Sequence, residues 1–179
     1  MANPLFDTLF ARHTGKTGTF LSCADGSDIS YDAFLKMAAR IAHVLGAEGL
    51  KPGDRVAVQV EKSPQALALY AAAAQAGVIF LPLNTAYTAG ELSYFVDNSG
   101  AALLVCDPTR EDDLRPMAEA LGTRVLTLGG DGAGSLMTQA EAQPDSFETV
   151  ARSGSDLAAF LYTSGTTGRS KGAMLTQDN

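Results

Sequence analysis

Residues 55–83 read RVAVQVEKSPQALALYAAAAQAGVIFLPL, and this stretch decides the fold. Arg55-Val56-Ala57-Val58-Gln59-Val60 is a short, mostly apolar run rich in valine, which predicts a strand. Ser63-Pro64 opens a helix, with serine at the N-cap and proline at the first helical position, where a missing N–H costs little. The helix runs to about Ala76 and gives way after Gly77 to a second strand, Val78–Leu83. Neither strand shows a clean apolar–polar alternation, as expected for strands buried on both faces of a helix-covered parallel sheet. Apart from Gln75, residues Ala66–Leu83 are apolar over nearly the length of a membrane span. Gly77 and Pro82 punctuate that run and alanine supplies much of the rest. It therefore reads as a buried helix leading into a buried strand, and no membrane segment is predicted.

The same grammar extends in both directions. Upstream, Pro52-Gly53 suits the centre of a type II turn. Ser30 caps a helix from Tyr31 to about Ala47, in which Phe34, Met37, Ile41 and Leu45 recur at helical spacing. Asp32, Lys36, Arg40 and His43 share the other side, with Asp32 and Lys36 as an i,i+4 pair and His43 expected in solvent. Asn3-Pro4 is a further helix start, for a short helix over Phe6–Ala11. Downstream, Thr88-x-x-Glu91 is a capping box for a helix ending near Asp97-Asn98-Ser99-Gly100. Strand Ala101–Cys106, a helix from about Arg110 to Leu121 and strand Arg124–Leu128 follow. Three strand–helix alternations predict an α/β, doubly wound, mainly parallel sheet with helices on both faces. The glycine cluster 129–135 fits neither a dinucleotide fingerprint nor a Walker loop and reads as a surface loop. A short helix around Leu136–Ala142 is expected after it, then a polar segment to Ser155 without a clear assignment.

The 179 residues are 46% hydrophobic and 18% charged, a globular composition, with a formal net charge of −7. Twenty acidic against thirteen basic side chains leave no basic stripe, which argues against nucleic acid as a partner. Cys23 and Cys106 are far apart and read as free thiols of a reducing cytoplasm. Neither they nor His13 and His43 make a metal-ligand spacing. The start, Met-Ala-Asn-Pro, lacks the layout of a signal peptide.

Chemistry concentrates at residues 156–175. The apolar strand Asp156–Tyr162 runs into Thr163, Ser164, Gly165, Thr166, Thr167, Gly168, Arg169, Ser170, Lys171 and Gly172, and the apolar Ala173-Met174-Leu175 follows at once. Glycines let a backbone turn its N–H groups toward an anion. The hydroxyls of Thr163, Ser164, Thr166, Thr167 and Ser170 add donors without charge, and Arg169 and Lys171 add the charge a triphosphate requires. A plain solvated hairpin loop is the competing reading, and the density of donors between two strand anchors outweighs it. The pattern is not a Walker A loop, because Ser170 and Gly172 break it at two positions.

Tyr162–Gly172, YTSGTTGRSKG, resembles the phosphate loop of the adenylate-forming (AMP-binding) superfamily, which includes acyl-CoA synthetases, peptide-synthetase adenylation domains and luciferases. Ser30-Tyr31, Leu50–Val56 and Gly77–Asn84 agree, so the resemblance covers nearly the whole chain. It implies ligase chemistry: a small-molecule carboxylic acid attacks the α-phosphate of ATP, and coenzyme A then displaces AMP from the acyl-adenylate. Residues 163–171 would hold the ATP phosphates, and none of them is the nucleophile. Leu81–Thr88, Val105–Pro108 and Gly168–Leu175 look most like the malonyl-CoA and methylmalonyl-CoA synthetase branch. Another short-chain or aryl acyl-CoA ligase, or a non-catalytic nucleotide-binding module, are the alternatives.

Two positions depart from the family pattern: Ser170 where proline is common, and Gln177 where histidine is. The resemblance also implies that residues 1–179 are the N-terminal portion of a large AMP-binding domain. The adenine, acid and Mg2+ sites and a smaller C-terminal domain are then expected beyond Asn179, and the chain alone is expected to be inactive. Uncovered apolar surface around Phe160, Leu161 and Met174 would favour self-association.

Overall fold

The computed structural model describes residues 2–163 and 171–179. Its early helices start where a side chain satisfies an orphan N–H of the first turn. Asn3 accepts from the Phe6 N–H to cap α1 (Pro4–Leu9), and a turn of 3-10 helix (Ala11–His13) follows. A small antiparallel hairpin comes next, β1 (Thr19–Ser22) and β2 (Asp28–Ser30). The residue pattern does not announce it, because these strands are only four and three residues long and none of their residues is fully buried.

Ser30 caps α2 (Tyr31–Ala47) by accepting from the Ala33 N–H. Phe34, Ile41 and Leu45 are buried, and Asp32 and Lys36 form the expected ion pair at 2.9 Å. His43 corrects the expectation of a solvated ring. Its Nε2 donates to the Ser146 carbonyl at 2.8 Å and its ring meets Phe147 edge-on. The cause is tertiary: residues 143–155, which carry no helix or strand, pack against α2.

The remaining elements alternate as predicted: β3 (Arg55–Gln59), α3 (Pro64–Ala76), β4 (Ile79–Pro82), α4 (Ala89–Ser99), β5 (Leu103–Cys106), α5 (Glu111–Ala120) and β6 (Arg124–Thr127). Then come α6 (Ser135–Glu141), β7 (Leu157–Thr163) and β8 (Lys171–Thr176). The six-stranded sheet runs β6-β5-β3-β4-β7-β8, parallel except for the antiparallel β7–β8 pair at one edge. Ser63 caps α3, and the Thr88–Glu91 capping box opens α4, as read from the residues. Gly77 ends α3 at φ 69°, and a Cβ there would stand 2.9 Å from the Arg152 side chain that crosses it. Residues 129–134 of the glycine cluster join β6 to α6 as a loop, and Ser135, read as part of that loop, is the first residue of α6.

The sheet is covered on both faces, which explains strands with no simple alternation. Val56, Val58, Leu103, Val105 and Leu126 pack with α2, α3 and α6, while Ala57, Leu104, Cys106 and Val125 pack with α4 and α5. Each fully buried leucine, isoleucine or phenylalanine there contributes about 1.5–3 kcal/mol. Both cysteines are free; burial, then the nearby Glu111 and Asp107 charges, push the Cys106 thiol up to about 11, so it is an inert core group. At the β8 edge Met174 is 61% exposed, while Phe160 and Leu161 are half-buried. Among the described residues no helix is long and apolar enough to cross a membrane.

Candidate functional site

Parallel strands deliver their carboxyl ends to one edge of a sheet, and ligands of open α/β sheets bind there. The loops after β3, β4, β5, β6 and β7 all emerge at that edge. The hydroxyl- and glycine-rich motif leaves from the end of β7. Ser164, Gly165, Thr166, Thr167, Gly168, Arg169 and Ser170 lie outside the described residues. The two ends of the motif are described. Thr163 and Lys171 face each other as the last pair of the β7–β8 ladder, with Thr163 Oγ1 3.4 Å from the Lys171 carbonyl. Both are exposed, so a hydroxyl and a cation are presented together at the carboxyl edge.

An aromatic cluster carries this stem. Tyr162 lies 4.4 Å, centroid to centroid, from Phe95 of α4 and 5.3 Å from Phe160, and its hydroxyl donates to Asn98 Oδ1 at 2.7 Å. Burial, then the neighbouring Tyr94, push the Tyr162 hydroxyl up to about 12, so it stays a donor at working pH. Opposite Tyr162 stands Gly172, where any Cβ would run into the Phe160 ring. The glycine that ends the motif thus makes room for the ring beneath the stem.

The carboxyl edge holds a second polar feature that sequence reading missed. A crevice of about 370 Å³ is lined by Gln59, Glu61, Thr85, Asp107, Thr109 and Arg110, from the loops after β3, β4 and β5. Gln59 is 2% exposed and donates to the Asn84 and Tyr87 carbonyls at 2.8 and 3.1 Å. Its Oε1 accepts from Arg110 at 3.2 Å. Thr109, through its hydroxyl and its N–H, holds the Asp107 carboxyl below the usual range. A glutamine closing the apolar run Val56-Ala57-Val58 was the available signal. A larger apolar cavity, about 550 Å³ and lined by Leu21, Cys23, Leu67, Tyr70 and Phe80 among others, opens on the α3 face, away from the Tyr162 face. Among the described residues no three His, Cys, Asp or Glu side chains stand where they could hold a metal ion.

Gln177 has a structural task. It is 6% exposed, and its Oε1 accepts from the Leu5 N–H at 3.2 Å, capping α1 from 172 residues away. Leu5 is in the first turn, where the N–H has no partner within the helix. Gln177→Ala is expected to lower stability by about 1 kcal/mol. A lower denaturant midpoint at unchanged slope would register the loss. Gln177→His, which can still offer an acceptor, is expected to lose less. An unmoved midpoint in the alanine variant would contradict the capping role.

Residues 9–179 match the AMP-binding enzyme family. The chain is 35% identical over 154 residues to a feruloyl-CoA synthase of an Amycolatopsis species, covering 86% of this chain and 29% of that protein. It is 31% identical over 154 residues to the long-chain-fatty-acid–CoA ligase FadD13 of Mycobacterium tuberculosis, covering 84% of this chain and 30% of that one. Among solved structures, MatB from Rhodopseudomonas palustris, in apo and ATP-bound forms, superposes with a TM-score of 0.95 at 48% identity. That match covers 99% of this chain and 35% of MatB. The chain therefore spans about a third of the length of these relatives. With the match running over all but its first eight residues, the chain belongs to the AMP-binding enzyme family.

Proposed function

We propose that the full-length protein is an ATP-dependent, AMP-forming acyl-CoA ligase. In this reading residues 1–179 form the N-terminal portion of its large domain, 156–175 its strand–phosphate loop–strand, and a smaller C-terminal domain lies beyond them. The observation that carries the reading is the Thr163–Lys171 pair at the carboxyl edge, the two described ends of a motif rich in glycine, hydroxyl and cationic residues. Family membership and the likeness to MatB, which was also solved with ATP bound, support it.

The chemistry is what membership of the AMP-binding enzyme family implies. A carboxylate oxygen attacks the α-phosphorus of ATP, the bond to the bridging oxygen breaks, and pyrophosphate leaves with the electron pair. The sulfur of coenzyme A then attacks the acyl carbon, its proton goes to solvent, and AMP departs. Residues 163–171 act on the first step by holding the β- and γ-phosphates and countering charge on the leaving group. In this reading Mg2+ accompanies the triphosphate, and its protein ligands are expected beyond residue 179.

The finer proposal is malonate or methylmalonate as the acid. The segments that resemble the malonyl-CoA synthetases, Leu81–Thr88 and Gly168–Leu175, fall within the 99% of the chain aligned with MatB, at an identity above that to the feruloyl- and long-chain relatives. The second reading, an aryl or other acyl acid, is favoured by the 35% identity to feruloyl-CoA synthase. Thioester formation by the full-length protein across malonate, methylmalonate, butyrate and ferulate decides between them. A protein that binds ATP and forms no adenylate with any carboxylic acid would be the non-catalytic module instead.

A further inference from the structure

The β7–β8 stem projects past the body of the sheet. On one side of β7, β4 pairs at Phe80↔Ala159 and ends at Pro82, level with Leu161. Tyr162 and Thr163 therefore run on beyond their parallel neighbour, and Pro82 has no N–H to offer. On the other side stands β8, the edge strand of the sheet among the described residues, paired with β7. Among the described residues, the side-chain hydrogen bonds that join 161–163 or 171–173 to an element outside the hairpin both come from the Tyr162 hydroxyl. It donates to Asn98 Oδ1 at 2.7 Å and lies 3.5 Å from the Phe95 carbonyl.

The receiving platform is itself well held. The Thr88–Glu91 capping box fixes the start of α4, and Leu92, Phe95 and Val96 are buried beneath it. Arg55 closes the other end, donating to the Ser99 and Gly100 carbonyls at 2.8 and 3.0 Å. Asn98 thus sits one residue before a clamped helix end, a fixed point for the strand end, beside the Phe95 and Tyr94 rings that also meet Tyr162.

We propose that Tyr162 is a positioning residue for nucleotide phosphates, its hydroxyl on Asn98 and its ring on Phe95 setting where the Thr163–Lys171 stem stands. The proposal rests on the ATP-binding reading above. Tyr162 does not touch the phosphates; it fixes the place of the cation and hydroxyl that do. Losing a neutral, half-exposed hydrogen bond corresponds to a factor of about three to ten in an equilibrium constant.

The test uses the full-length enzyme with Tyr162→Phe, Asn98→Ala and the double variant. KM for ATP is expected to rise about three- to tenfold, with KM for the acid changed less than twofold. The double variant is expected to be no worse than the weaker single, because both remove one contact. Amide hydrogen exchange is expected to quicken at 161–163 and 171–173 and nowhere else. Parent-like ATP KM and exchange would overturn the proposal. So would a fall in melting temperature with both KM values rising together, which marks a merely structural role. A parent that forms AMP while its variants match it removes only this inference; a parent that binds no ATP removes the ligase reading and this inference with it.

Discussion

Lys171→Ala in the full-length enzyme is expected to slow adenylate formation by about a hundredfold or more. Lys171 is the first residue of β8, exposed beside Thr163, and among the described residues it has no ion pair. Its charge is thus available to a ligand at the carboxyl edge. The bond that breaks during adenylation puts negative charge onto departing pyrophosphate, and a cation already in place stabilises that charge without reorganisation. Removing one such preorganised group costs about 2–4 kcal/mol, and each 1.36 kcal/mol is tenfold in rate. The measurement is pyrophosphate release in a single turnover, with ATP and acid saturating. Lys171→Arg, which keeps the charge on a different geometry, is expected to fall between parent and alanine. A parent-like rate in the alanine variant would remove Lys171 from the mechanism.

The second large effect concerns the acid. The full-length enzyme is expected to use malonate or methylmalonate at least about a hundredfold better, in kcat/KM, than butyrate or benzoate. A dicarboxylate carries a second anion, which a bidentate arginine or an equivalent donor set recognises. Donors built for that anion are left buried and unpaired when a monocarboxylate binds, and sites of this kind discriminate by several orders of magnitude. Butyrate or benzoate winning the comparison would overturn the malonate reading while leaving the ligase intact.

Most of the fold was legible because its signals are local. Ser30, Ser63 and Thr88 cap their helices through bonds spanning three residues, so helix starts could be read directly. Two-sided burial leaves its mark in the strands themselves, as at Val56-Ala57-Val58. The misses are contacts that no local pattern encodes. Residues 143–155 take their path from tertiary partners: Gln75 donates to the Phe147 carbonyl, His43 meets Phe147, and Gly77 leaves room for Arg152. The β1–β2 hairpin is too short and too exposed to show a period. At the site, Thr163 and Lys171 were legible as the ends of one motif. The Tyr162–Asn98 bond, spanning 64 residues, and the Gln59–Arg110 pair, spanning 51, were not.

The central claim is that this chain presents a phosphate-binding stem of an enzyme that cleaves ATP between its α- and β-phosphates while activating an acid. It is tested most directly by the products formed when the full-length protein turns over ATP labelled at the α-phosphate with malonate and coenzyme A. The account predicts labelled AMP, unlabelled pyrophosphate and one thioester for each ATP consumed, with no AMP when the acid is left out. Labelled ADP with inorganic phosphate, or AMP formed independently of any carboxylic acid, would contradict it.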